Sequence, residues 1–196
     1  SFSHHTSFAR ATQEDFLADA QSALSTARKH FNSCNKVIIT LGTAWCYTWH
    51  QTGKVVGNCH RLPASQFTRH RLSLTTLTET LQGICNQAQD KHIILTVSPI
   101  RHWKDGAHQN QLSKALLLLA CEQMVQQNSN VVYFPSYEIM MDELRDYRFY
   151  ADDMMHPSPM AVQYMWERFA ETYFDQTTQK ACAQWQKIEQ MRQHRS

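Results

Sequence analysis

The chain reads as one α/β domain spanning residues 1–196, with a parallel sheet covered by helices in a three-layer α/β/α arrangement. Three observations predict this. Short aliphatic runs recur along the chain, helical periodicities lie between them, and the two kinds of segment alternate. At 196 residues the chain suits one domain with a substantial core.

The strand candidates are Val37-Ile38-Ile39-Thr40-Leu41, His92-Ile93-Ile94-Leu95-Thr96-Val97 and Val131-Val132-Tyr133-Phe134. Each is nearly continuous rather than alternating, as strands buried on both faces of a parallel sheet are. The first helix is capped by Thr12, with Asp15 in its first turn, and carries an apolar face of Phe16, Ala20, Ala23, Leu24, Ala27 and Phe31. A second spans about Ser73 to Ala88, with Leu74, Leu77, Leu81, Ile84 and Cys85 on one stripe. A third covers about His108 to Gln127 and presents Leu112, Leu116, Leu119, Ala120 and Met124. Ser158 as cap and Pro159 at the first helical position open a fourth, which packs through Val162, Met165, Trp166, Phe169 and Tyr173. A polar helix from roughly Thr177 to Met191 closes the chain.

Charge and cysteine usage narrow the function classes. Nineteen Lys+Arg against 17 Asp+Glu leave no basic field for nucleic acid, and the clusters at Arg69-His70-Arg71 and Arg192 to Arg195 read as solvated faces. Six scattered cysteines with no C-x-x-C predict free, mostly buried thiols and a reducing, cytoplasmic setting. The longest aliphatic run, Leu112 to Ala120, is interrupted by Ser113 and Lys114, far short of the ~20 residues of a membrane span. Eleven histidines show no H-E-x-x-H or similar ligand spacing, so neither a metal nor another cofactor is expected.

In parallel sheets ligands bind beyond the carboxyl ends of the strands. The segments there are long and polar, from Gly42 to Ser65 and from Ser98 to Gly106. Late in the chain stands Asp153-Met-Met-His156-Pro157-Ser158. Three residues apart, a carboxylate can hold an imidazole Nδ1–H and leave Nε2 to take a proton from a nucleophile, although a surface turn ahead of a capped helix has the same spacing. Ser98 ends a strand, but Pro99 follows it and supplies no backbone N–H for an oxyanion hole, which argues against Ser98 as nucleophile.

Ordered blocks along nearly the whole chain carry a resemblance. They are Ser3-His4-His5, Val37 through Trp45, Asn58-Cys59-His60-Arg61-Leu62-Pro63, and Thr96 through His102. They continue with Lys104-Asp105-Gly106, Leu112-Ser113-Lys114-Ala115, Tyr133 through Glu138, and Asp146 through Asp153 leading into His156-Pro157-Ser158. On these blocks the chain resembles the GSCFA family of the SGNH (GDSL-like) hydrolase superfamily. The resemblance implies a flavodoxin-like sheet and a serine esterase, acting on a small-molecule or saccharide ester. Its machinery would be an early serine nucleophile, oxyanion donors from that serine's backbone, a glycine and an asparagine, and a late D-x-x-H.

Asp153 and His156 carry over directly. Gly42 and Asn58 stand for the oxyanion glycine and asparagine, although Gly42-Thr43 is followed by Ala44-Trp45 rather than by Asn-Asp, and Asn58 equally suits a loop turn. Arg101 and His102 either bind an anionic or sugar-bearing substrate or, through Arg101 pairing with Asp105 or Asp153, shape their loop; His60 has the same two readings. The family's name-giving motif, with its serine, does not occur in this chain. The expectation is that about 100 upstream residues, with the first strand or two, belong to the natural protein. This chain alone would then be inactive, and its open sheet edge would favour self-association. If no such segment exists, the cleft is a non-catalytic module that binds a ligand or a partner.

Overall fold

The computed structural model describes residues 2–57 and 59–193, which form two compact units. One comprises Ser1–Val97 and His102–Tyr133, the other Ser98–Arg101 and Phe134–Ser196. The three expected strands are present as β1 (Lys36–Leu41), β5 (His92–Val97) and β6 (Val131–Phe134), in the sheet order β1-β5-β6. β1 and β5 run parallel, in a register from Lys36↔His92 to Leu41↔Val97. The chain is thus a mixed α/β protein built on a small parallel sheet with helical crossovers.

Burial is less even than the aliphatic runs predict. β5 is enclosed from Ile93 to Val97, whereas β1 alternates exposed and half-buried residues. Position in the sheet explains the difference: β5 is central and β1 ends the order, so Ile38 stands 55% exposed while Leu95 is fully enclosed.

Three further strands are present, two within the expected polar loop from Gly42 to Ser65 and one just after it, over the Arg69-His70-Arg71 cluster. β2 (Trp45–Trp49), β3 (Lys54–Val56) and β4 (Phe67–Arg71) form an antiparallel sheet in the order β3-β2-β4. In β2 the signal is alternation of aromatics with small residues rather than an aliphatic run, and β3 and β4 carry no such pattern. The β2–β4 register pairs Trp45 with Arg71, Tyr47 with Arg69 and Trp49 with Phe67. The Arg69-His70-Arg71 cluster is therefore no solvated face. The Arg69 guanidinium lies 4.4 Å from the Trp45 ring centroid and also pairs with Asp105, and Arg71 donates to the Gln109 side chain at 2.8 Å. Of the second basic cluster, Arg195 lies outside the described residues.

α1 (Gln13–Ser33) and α2 (Leu74–Gln87) begin at the expected caps: Thr12 accepts the Asp15 N–H and Ser73 the Thr76 N–H, both at 3.1 Å. α1 buries none of its residues, so its expected apolar face is not a core face in this unit. α2 buries Leu77, Leu81 and Cys85 but leaves Ile84 exposed. It packs on α3 (Gly106–Gln127), where the Gln82 and Asn128 side-chain amides bond reciprocally at 2.9 and 3.0 Å.

α3 buries Ala120 and Met124 as expected but is rotated away from Leu112, Leu116 and Leu119. Asn110, Ser113, Lys114, Leu117, Ala120, Cys121 and Met124 are buried, and Leu119 is exposed. Polar groups at Asn110, Ser113 and Lys114 (an i, i+3, i+4 set) point inward because they satisfy backbone atoms described below.

In the second unit a short helix, α4 (Ser136–Glu138), runs into a π-helical turn at Ile139–Glu143. α5 (Pro159–Tyr173) starts as expected, with Ser158 accepting the Ala161 N–H at 3.4 Å, and α6 (Gln176–Gln193) follows. Only Ala161 of α5 is fully buried; Val162 and Trp166 are exposed, and Phe169 meets Phe134 edge-on at 5.1 Å between centroids. None of the six cysteines forms a disulfide, but only Cys85 and Cys121 are buried, because the other four sit at element ends or on partly open faces. Among the described residues no helix is long and apolar enough to cross a membrane.

The contrast between the two strands is testable. Leu95→Ala should lower unfolding free energy by about 2–5 kcal/mol in urea denaturation, whereas Ile38→Ala should change it by less than about 1 kcal/mol. Equal losses would mean that β1 is as enclosed as β5.

Candidate functional site

The D-x-x-H segment is a preformed loop in the second unit. Asp153 Oδ1 accepts the backbone N–H groups of Met155 and His156, each at 2.9 Å, and Oδ2 meets His156 Nδ1 at 2.5 Å. One carboxylate therefore shapes the turn and orients the ring together. Met154, between them, takes a left-handed φ of 59°, strained for a non-glycine residue. The Met154 N–H bonds to the Ala151 carbonyl at 2.9 Å, and the Ala151 N–H bonds to the His156 carbonyl at 2.8 Å. Ser158 then donates its N–H to the Phe149 carbonyl at 2.8 Å before it caps α5. The loop is thus clamped at both ends.

The three hydrogen bonds hold the Asp153 carboxyl well below its usual range, at about 2; the His156 backbone N–H contributes most, then the Met155 N–H, then the imidazole. With Nδ1 committed to Asp153, Nε2 is the nitrogen left for chemistry, and the imidazole is 55% exposed.

Arg101 belongs to the same unit. Its N–H bonds to the Met155 carbonyl at 3.2 Å, and its guanidinium lies 4.2 Å from the Tyr150 ring centroid while donating to the Tyr150 hydroxyl at 2.8 Å. Of the two acids weighed for Arg101 in the sequence, Asp105 is paired with Arg69 and Asp153 holds His156. Ser98 is nearly buried, and its hydroxyl accepts the Ile100 N–H at 3.3 Å.

Other candidates lie in the first unit. The Gly42 carbonyl accepts a 2.6 Å hydrogen bond from Lys114 Nζ, and a Cβ built on Gly42 would sit 3.8 Å from His102 Nε2, an ordinary contact. The His102 backbone N–H bonds to the Asn110 side chain at 3.0 Å. The structure thus brings Gly42 and His102 together. His60 has a left-handed φ of 48° and lines a small cavity of about 140 Å³ with His4, His5 and Phe16. Asn58 lies outside the described residues. Among the described residues no group of three or more His, Cys, Asp or Glu is placed to hold a metal ion.

Two features escape the sequence reading. Lys114 is 1% exposed, and burial pulls its ammonium down from the ordinary 10.5 to about 8. Ser113 beside it accepts the Ala44 N–H at 2.8 Å and bonds to the Thr43 hydroxyl at 3.1 Å. Two polar residues interrupting an aliphatic run, three and four after Asn110, are the available signal. The second feature is a contact of Cys46 Sγ with His70 Nε2 at 3.2 Å across β2 and β4. Burial raises the Cys46 pKa, which keeps the sulfur a thiol rather than a nucleophilic thiolate.

A parallel sheet and capped helices define an α/β protein, and its second unit carries a carboxylate–imidazole pair in a clamped loop. A profile of the GSCFA family matches residues 1–169, and the chain belongs to that family. No curated protein and no solved structure matches it.

The buried lysine gives a pH signature. Because its folded pKa lies below the unfolded one, the unfolded chain holds the extra proton between about pH 8 and 10.5, and stability rises with pH across that window. Urea midpoints of the wild type should climb relative to Lys114→Met over that range; parallel curves would contradict a buried ammonium. A second test is NMR titration of the Asp153 carboxyl, which should show a midpoint near 2. In His156→Ala the midpoint should rise only in part, because both backbone N–H donors remain. A return to 3.8 would assign the whole effect to the imidazole.

Proposed function

We propose that the protein is an ester hydrolase of the SGNH type, and that this chain supplies the Asp-x-x-His half of its site. The observation that carries the reading is the 2.5 Å contact between Asp153 Oδ2 and His156 Nδ1, inside a loop whose backbone the same carboxylate holds. Family membership supports it.

In this reading a serine Oγ attacks the ester carbonyl carbon as its proton passes to His156 Nε2. Asp153 stabilises the resulting imidazolium. The tetrahedral oxyanion collapses, the ester C–O bond breaks, and the alcohol leaves with the proton from Nε2. Water then repeats the sequence on the acyl-enzyme and releases the acid. Asn58 and backbone amides, that of Gly42 among them, are the proposed oxyanion donors. His60, Arg101 and His102 are proposed to contact the substrate, an O-acylated saccharide or cell-envelope ester.

Ser98 is a poor nucleophile in this scheme, since its hydroxyl is engaged with the Ile100 N–H and Pro99 follows it. The serine is proposed to lie outside this chain, which alone would be inactive. The absence of disulfides suits a cytoplasmic setting. β1 ends its sheet and offers an edge through which two copies could pair.

The test is intact-mass detection of a fluorophosphonate adduct on this chain and on any longer natural form, each beside its His156→Ala variant. An adduct on the longer form alone, lost on substitution, is the expected result. An adduct on this chain would make a serine within it, Ser98 first, the nucleophile. No adduct on either would favour a module that binds its ligand without chemistry. In an active form Asn58→Ala should slow turnover by about 10²–10³; a change within about threefold would remove Asn58 from the oxyanion hole.

A further inference from the structure

The second unit contains a cleft of about 280 Å³, walled by Arg101, Arg145, Tyr147 and Tyr150 over a floor that includes Met140 and Leu144. Its composition is specific. The floor is apolar and buried, while the rim carries two guanidinium groups and two phenol rings. Asp146, also in the lining, is already occupied: it accepts the Arg148 N–H at 2.9 Å and pairs with the Arg148 guanidinium at 3.7 Å. The rim therefore carries Arg145 and the Tyr150-bound Arg101 beside a carboxylate that Arg148 holds.

Arg101 is fixed before any ligand arrives. Its guanidinium lies over the Tyr150 ring and donates to the Tyr150 hydroxyl, and its backbone is tied to Met155. Guanidinium groups are the side chains whose geometry carboxylate and phosphate oxygens match, and Tyr150 fixes the orientation of this one. Tyr147 is 69% exposed and its ring centroid lies 6.5 Å from that of Tyr150, so the two phenols supply flat apolar surface beside the charges. The floor is the π-helical turn, where the Leu144 N–H reaches back to the Ile139 carbonyl at 2.9 Å. Such turns recur at functional sites because the extra residue displaces side chains from helical register.

Connectivity joins the cleft to the acid–base loop. Tyr150 pairs with Pro157 in an antiparallel bridge, one residue beyond His156. The Tyr150 wall is therefore one backbone bridge and one residue away from the imidazole.

We propose that this cleft is the subsite for an anionic ring on the substrate, a sugar-sized group bearing a carboxylate or phosphate. The claim that the ring belongs to a substrate rests on the hydrolase reading; the binding itself does not. The volume, near the lower end of the ~300–1,000 Å³ usual for small-molecule pockets, fits one ring rather than an oligomer. Arg101 and Arg145 take the anion, and Tyr147 covers the ring face.

Isothermal titration with glucuronate, glucose and inorganic phosphate tests this on the protein and on its Arg145→Ala, Tyr147→Ala and His156→Ala variants. Arg145 and Tyr147 are exposed, so their removal should leave the thermal melt unchanged. Glucuronate should bind more tightly than either glucose or phosphate. Arg145→Ala should weaken it about tenfold or more, Tyr147→Ala should weaken glucuronate but not phosphate, and His156→Ala should leave all three unchanged. Equal binding of glucuronate and glucose, no binding of glucuronate, or an unaltered Arg145→Ala titration would overturn the anionic subsite. Phosphate binding as tightly as glucuronate would overturn the role of the ring. Because fluorophosphonate labelling reads the serine chemistry separately, a cleft that fails beside intact labelling leaves the hydrolase standing, and the converse result leaves the cleft standing.

Discussion

A buried ammonium is the constraint around which the first unit is arranged. Lys114 lies within the protein on α3 and donates to the carbonyl of Gly42, the residue that follows β1. Placing a charge there is costly unless fixed dipoles receive it, so the carbonyl at the end of β1 and the ammonium hold one another in place. Ser113 holds the next two residues, Thr43 and Ala44, and Asn110 holds His102 just beyond β5. One helix face therefore holds the backbone that follows β1 and that of His102 in the segment after β5. Its rotation away from the leucines follows: Leu119 is surrendered to solvent so that three polar side chains reach the backbone.

The second unit solves a similar problem with the opposite charge and at the surface. Asp153 collects two backbone N–H groups and an imidazole, and each donor restrains a different part of the loop. The same interaction shapes the chain and sets the ring. Loop order and ring orientation are therefore coupled, whereas in the first unit the anchoring groups stand apart from the residues they position.

Much of this was legible in the sequence. The strands β1, β5 and β6 and the caps Thr12, Ser73 and Ser158 follow from aliphatic runs and from hydroxyls ahead of amphipathic segments. Local signals of this kind need only neighbours in the chain. β2 and β4 were not legible because their stability comes from pairing aromatics with arginines about two dozen residues away, as at Tyr47 and Arg69, which no window along one strand detects. The face of α3 was misread for a related reason: hydrophobicity orders Leu119 above Lys114, but the unmet acceptor at Gly42 lies 72 residues from Lys114 in sequence. At the candidate site, the Asp153–His156 pair was visible because it is local. The Arg101–Tyr150 stack, 49 residues apart, was not.

Met154 turns the spacing of the acid–base loop into a fixed length. Its left-handed backbone reverses the chain between Asp153 and His156, so neither extended chain nor a backward extension of α5 can replace it. A substitution at Met154 changes only the strain of that reversal. An insertion or deletion of one residue would instead shift every hydrogen bond of the turn out of step, parting the carboxylate from the ring. Between Asp153 and His156, then, the identity of Met154 matters less than the number of residues, while the carboxylate and the imidazole themselves are fixed by the hydrogen bonds they make.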